Sequence, residues 1–206
     1  MSFPEKDFDA PANKSLVDEF GRHHTDLRIS VTDRCNLRCG YCMPLEASFM
    51  SQQRLLTYDE VARCANVASE MGIQTIRLTG GEPLMRPRLD QLINQLTQLP
   101  KIEEVALTTN GLLLADQAAG LARAGLSRLN VSLDSLDEAR FEKIARRSGL
   151  QRILEGLEEA RRQGFRSIRM NAVSIRGLTE QDIVPLAEFC RTHCFHLRFI
   201  EFMPLD

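Results

Sequence analysis

"LRISVTDRCNLRCGYCMP", Leu27 to Pro44, decides how the rest of the chain is read. Its first six residues alternate apolar and polar, the period-two pattern of a β-strand. The stretch after them places Cys35, Cys39 and Cys42 at C-x3-C-x2-C spacing, half of the chain's six cysteines. Three thiols in a loop that follows a strand form a disulfide staple, a zinc site or a thiolate-held metal centre.

Outward from this stretch the same pattern recurs: a short alternating run, a loop, then a helix-like segment. The runs are 27–32, 75–80 (TIRLTG), 104–110 (EVALTTN), 128–134 (RLNVSLD), 168–173 (IRMNAV) and 197–202 (LRFIEF). Thr57-Tyr-Asp-Glu60 reads as a capping box that opens a helix, with Gly72 as its stop. Ser135-Leu-Asp-Glu138 reads as a second box. Gly125 and Gly164 close later helices, and Thr179 opens one running to about His193. Strands alternating with helices predict βα units around a parallel sheet. The expected fold class is α/β: a partial, open (βα)6 TIM-like barrel ending at the sixth strand. The expected organisation is an extended, polar, proline-dotted arm over 1–26 and one core domain over 27–206.

The two strand faces differ. One collects Leu27, Ile29, Val31, Ile76, Leu78, Val105, Leu107, Leu129, Val131, Leu133, Ile168, Met170 and Ala172. The other carries Arg28, Ser30 and Thr32, then Thr75, Arg77 and Thr79, then Thr108 and Asn110. It continues with Asn130, Ser132, Asp134, Arg169 and Asn171. A parallel sheet covered on both sides should be apolar on both. The apolar face is therefore expected under the helices, with the polar face lining a ligand cavity. Arg28, Arg77 and Arg169 on that face point to an anionic ligand such as a phosphate ester, or else pair with Glu82, Asp134 or Glu201.

The 206 residues are 43% apolar and 26% charged, so a sizeable core is available. A net charge of −2 gives no reason to expect nucleic acid or a membrane surface as partner. The acidic start lacks the apolar segment of a signal peptide, and no apolar run approaches a membrane span. The expected address is cytoplasmic, where thiols stay reduced. That compartment and the odd number of clustered thiols weigh against a disulfide, and structural zinc wants a second ligand pair that is not nearby. Thiolates otherwise favour iron–sulfur clusters; three ligands would leave one iron of a cubane open, as a catalytic site needs.

With Tyr41 before the last cysteine, this spacing resembles the signature of the radical S-adenosylmethionine (SAM) superfamily. "GGEP", Gly80 to Pro83, agrees with it, one βα unit further on. Within that superfamily, "DLRISVTDRCNLRCGYCMP", "IRLTGGEPL", "TTNG", "NVSLDSLD" and "LRFIEFMPLD" together resemble the molybdenum cofactor biosynthesis protein A family, the GTP 3′,8-cyclases. The resemblance implies a [4Fe-4S] cluster on Cys35, Cys39 and Cys42, with SAM at the open iron. It implies SAM contacts from Tyr41, Gly80, Gly81, Glu82, Ser132 and Met203, and GTP contacts from Arg28, Arg77, Thr108 and Arg169. At Arg169 the family usually has a lysine, so a planar fork replaces a point charge. Implied partners are GTP, a one-electron reductant and a second copy in a homodimer. The family also implies a C-terminal region with a second cluster, which this chain does not reach. The rival readings are a radical SAM enzyme for another substrate, and a non-catalytic iron–sulfur or zinc module.

Other residues invite blander readings. Cys64 is expected as a small core residue. Cys190, His193, Cys194 and His196 span a helix end and a strand start, so packing is favoured over a metal. His23 and His24 signal only polarity, and the charges at 158–162 read as a solvated helix face.

Overall fold

The computed structural model describes residues 15–203, so most of the expected arm and the last three residues lie outside the described residues. Six strands form one sheet: β1 (Asp26–Ser30), β2 (Thr75–Thr79), β3 (Glu104–Thr109), β4 (Arg128–Ser132), β5 (Ser167–Ser174) and β6 (His196–Glu201). They lie in sequence order and every neighbouring pair is parallel. Each crossover carries helix: α1 (Tyr58–Glu70), α2 (Leu89–Thr97), α3 (Leu114–Arg123), α4 (Glu138–Ala145) with α5 (Leu150–Arg162), and α6 (Ile183–His193). This is the expected six-unit α/β architecture.

The faces follow the alternation. Ile76, Leu78, Val105, Leu107, Leu129, Val131 and Met170 are buried, and the helices cover them with residues at helical spacing. Leu89, Leu92, Ile93 and Leu96 of α2 are buried on one side, as are Ile153, Leu157 and Ala160 of α5. Fully burying such a side chain contributes about 1.5–3 kcal/mol, so this apolar layer is the main stabilising term. On the other face, Arg28 and Ser30 are exposed, and Arg77, Thr108, Ser132 and Arg169 are half-buried. Thr32, Asn130 and Asp134 of that face are buried, so the polar face is an open wall mainly where the arginines stand.

Helix ends hold most of the local expectations. Thr57 caps α1 in a complete capping box with Glu60. Gly72, Gly125 and Gly164 each follow a helix with positive φ.

The second box does not form. Asp137 caps α4 by accepting from the Arg140 backbone N–H, while Ser135 is buried and donates to Asp182 Oδ1 at 2.6 Å. Ser135 thus serves a tertiary link to the segment before α6, which outcompetes the local cap. The helical stretch after β4 also breaks in two, at Arg146 and Gly149, both with positive φ.

Thr179 opens only a single 3-10 turn, and α6 starts at Ile183. Its hydroxyl accepts from the Ile175 backbone N–H, so it closes the preceding turn. Residues 15–25 are not simply extended: Val17 bridges to His23, and Leu16 donates to the Met71 carbonyl at the end of α1. Cys64 is exposed, because Val61 and Ala65 take the inward positions of α1.

Candidate active site

Parallel in-register strands bring the C-terminal ends of β1 to β4 to one rim, where the cysteine loop, the Gly80-Gly81 turn and Ser132 lie, while Arg28, Arg77 and Arg169 sit within the strands. The loop after β1 carries the three cysteines. Its backbone is tied to α4: Arg38 N–H donates to the Ala145 carbonyl at 2.9 Å, and Gly40 N–H to Ile144 at 3.0 Å. These bonds satisfy carbonyls a helix C-terminus otherwise leaves open, so the end of α4 fixes the middle of the cysteine loop. The Tyr41 hydroxyl donates to Asp134 Oδ2 at 2.8 Å, and Asp134 also accepts from Val173 N–H. That carboxylate, buried at the end of β4, joins the loop to β5.

The Gly80-Gly81 turn passes directly beneath the loop. A Cβ on Gly80 would overlap the Thr32 carbonyl oxygen, and one on Gly81 the Arg34 carbonyl. Two short backbone bonds hold the crossing, Gly81 N–H to Thr32 O and Glu82 N–H to Arg34 O, both 2.7 Å. Glycine is required here by backbone-to-backbone approach.

Glu82 is anchored from within the fold. Its carboxylate is fully buried and accepts three hydrogen bonds: from Leu84 N–H at 2.9 Å, Thr109 Oγ1 at 2.7 Å and Asn110 N–H at 2.7 Å. Oε1 takes two of these donors and Oε2 one, which leaves an acceptor position on Oε2. Burial pushes the Glu82 carboxyl up against the lowering effect of these bonds. Glu82 is a pin between β2, the following turn and the end of β3. Glu82→Ala should strand three buried donors and cost on the order of 3 kcal/mol, read as a lower urea midpoint of the cluster-free chain. An unchanged midpoint would show that water replaces the carboxylate.

The thiols differ among themselves. Cys39 and Cys42 influence one another: the Cys39 thiol lowers Cys42 to about 7, and Cys42 together with burial raises Cys39. Burial, chiefly, raises Cys35, whose sulfur accepts from Leu37 N–H at 3.4 Å. Among the described residues no three thiols, imidazoles or carboxylates close around one point, as a single metal ion would need. A cluster whose thiolates each take a different iron asks for a wider spread. The donor set fits it: three half-buried or exposed cysteines in one loop, with N–H groups aimed at sulfur.

The arginines are placed as the alternation predicts. Arg28 and Arg77 are direct cross-strand partners, and Arg169 lies beside Asn130, which pairs with Thr108. Arg77 meets Asp26 at 3.4 Å, while Arg28 and Arg169 form no ion pair among the described residues. Glu82 and Asp134, suggested as alternative partners, are bonded elsewhere. Sequence reading missed two more cations on this face, Arg128, paired with Glu104 at 2.7 Å, and Arg198, in register with Asn171. The same period of two would have found both. Ser132 ends β4, and Met203 is exposed just past β6.

The second cysteine–histidine group disperses. Cys190 is buried against Met170 Sδ at 3.4 Å, Cys194 is exposed at the end of α6, and His193 Nδ1 meets the Phe189 carbonyl.

Comparison with known sequences now decides the family. The profile of the Radical SAM superfamily matches residues 29–190. The chain belongs to that superfamily.

A "GTP 3′,8-cyclase" of Rhodopirellula baltica is 52% identical over 93% of this chain and 54% of its own length. "Molybdenum cofactor biosynthesis protein 1" of Drosophila melanogaster is 47% identical over 94% of this chain and 34% of its own. One of Mycobacterium marinum, again named GTP 3′,8-cyclase, is 48% identical over 96% and 56%. The chain thus spans about a third to just over half the length of these relatives. Among solved structures, Streptococcus suis SuiB bound to S-adenosylmethionine superposes with a TM-score of 0.76 at 21% identity, covering 88% of this chain and 41% of that one. Methylornithine synthase gives 0.72 at 15%, covering 93% and 55%. At those identities the likeness shows the radical SAM fold. The superfamily's cofactors are a [4Fe-4S] cluster and SAM.

Proposed function

We propose that this chain is the radical SAM core of a GTP 3′,8-cyclase, which converts GTP to (8S)-3′,8-cyclo-7,8-dihydroguanosine 5′-triphosphate in molybdenum cofactor biosynthesis. The observation that carries the substrate is the row of arginines on the open polar wall. Arg28 and Arg77 are placed to repel one another, a cost that a polyanion between them offsets.

Cys35, Cys39 and Cys42 would hold the cluster, which supplies the electron for reductive cleavage of SAM to methionine and a 5′-deoxyadenosyl radical. The chain's own residues do the rest. Gly80 and Gly81 would offer backbone groups to SAM, Tyr41, Ser132 and Met203 would contact it from the ends of other strands, and Glu82 keeps the turn in place from below. Arg28, Arg77, Thr108 and Arg169 hold GTP on the wall. The electron comes from a one-electron reductant. Among the described residues no helix is long and apolar enough to cross a membrane, and the proposed setting is the cytoplasm, as a homodimer.

The test is GTP binding to the anaerobically reconstituted chain, by equilibrium titration at two salt concentrations. Each lost charge-assisted contact is worth about 1.5–3 kcal/mol, so Arg28→Ala and Arg77→Ala should each weaken GTP by roughly tenfold or more. The wild-type affinity should fall as salt rises. Equal binding of GTP and guanosine, unaffected by either substitution, would remove the phosphate reading.

A further inference from the structure

The Cys35 sulfur has a second donor that does not belong to its own loop. The side-chain amide of Asn110, at the end of β3, stands 3.7 Å from it, across 75 residues of sequence. The amide has little freedom. Asn110 Oδ1 accepts from Leu112 N–H at 3.0 Å, which needs an acceptor and therefore fixes which end of the amide is oxygen. One hydrogen of Nδ2 goes to Asn36 Oδ1 at 2.8 Å, leaving the other for the sulfur. The backbone N–H of the same residue is held by Glu82. Every polar group but the carbonyl is thus assigned, and the arrangement aims one N–H at one ligand. Among the described residues no side-chain amide reaches Cys39 or Cys42 in this way.

We propose that Asn110 is a positioning residue for the redox step: its amide N–H donates to the Cys35 sulfur and raises the reduction potential of the cluster. The proposal rests on the cluster reading above. The couple is the addition of one electron to the oxidised cluster, with no bond broken. Reduction makes the cluster and its thiolates more negative, and an N–H dipole aimed at sulfur stabilises that state more than the oxidised one. The Glu82 pin acquires a second purpose in this arrangement, because it places the β3 end that carries the amide.

The experiment is a dye-mediated potentiometric titration of the reconstituted chain without SAM, followed by electron paramagnetic resonance. Asn110→Ala removes the donor. Asn110→Asp keeps the acceptor for Leu112 but turns the donor into a negative group, so its shift should be the larger. Both should titrate at more negative potential. A tenfold loss of reduced fraction against a fixed reductant corresponds to about 59 mV for one electron. In parallel, the reduced wild-type cluster with 15N-labelled asparagine should show a hyperfine coupling to a side-chain amide nitrogen. This measurement decides the matter if a variant fails to take up iron. Wild-type potential in both loaded variants, or no asparagine coupling in the wild type, overturns the proposal while leaving the cluster intact. A wild-type chain that takes up no iron overturns the cluster reading, and this one with it.

Discussion

Replacing Cys35, Cys39 and Cys42 together by alanine should reduce the iron of the anaerobically reconstituted chain from about four atoms to near zero. The three sulfurs sit in one loop, and the second cysteine–histidine group is dispersed by Cys190 packing inward and Cys194 facing solvent. No other part of the described chain can therefore take over. The fold itself should survive, since the loop is held by backbone bonds to α4 and by the Gly80-Gly81 crossing, neither of which uses a thiol. The checks are iron and sulfide analysis beside circular dichroism: iron lost, helix and strand signal kept. Retention of iron by the triple variant would place the cluster elsewhere.

Gly81→Ala should be nearly as damaging by a different route. The added methyl has no room, because its neighbours are the backbone of Arg34 and Asp33, which cannot rotate away as a flexible side chain would. Either the cysteine loop lifts or the turn sinks, and both move groups that the proposed function brings to SAM. A displacement of about 1 Å in a reacting geometry can cost about a hundredfold, so SAM cleavage should fall by at least that factor. Iron uptake should fall far less than in the cysteine variant. Comparing 5′-deoxyadenosine formed per loaded cluster in the two proteins separates loss of the cluster from misplacement of SAM. Wild-type cleavage by Gly81→Ala would mean that the crossing opens freely.

What the sequence disclosed follows the range of the interactions involved. Six strands, their two faces and the glycine-terminated helices depend on neighbours two to four residues apart, and they came out in order. The capping box at Thr57 formed because nothing distant competes for it, whereas Ser135 was drawn away by Asp182, 47 residues along the chain. Cys64 was misplaced by hydrophobicity alone: the inward stripe of α1 falls on Val61 and Ala65. Glu82 shows the same limit at the site. Its motif was legible, but three donors that converge on it, two of them from β3 and the residue after it, were not. The contact from Asn110 to Cys35 had no local signal at all.

In the proposed function the rim binds SAM and cleaves it by one-electron reduction. The most direct measurement is the anaerobic assay of 5′-deoxyadenosine and methionine from the reconstituted chain with SAM and a strong one-electron reductant. Both products are expected in equal amounts, dependent on reductant and absent in the triple cysteine variant. A chain that holds stoichiometric zinc, takes up no iron and leaves SAM intact would contradict it.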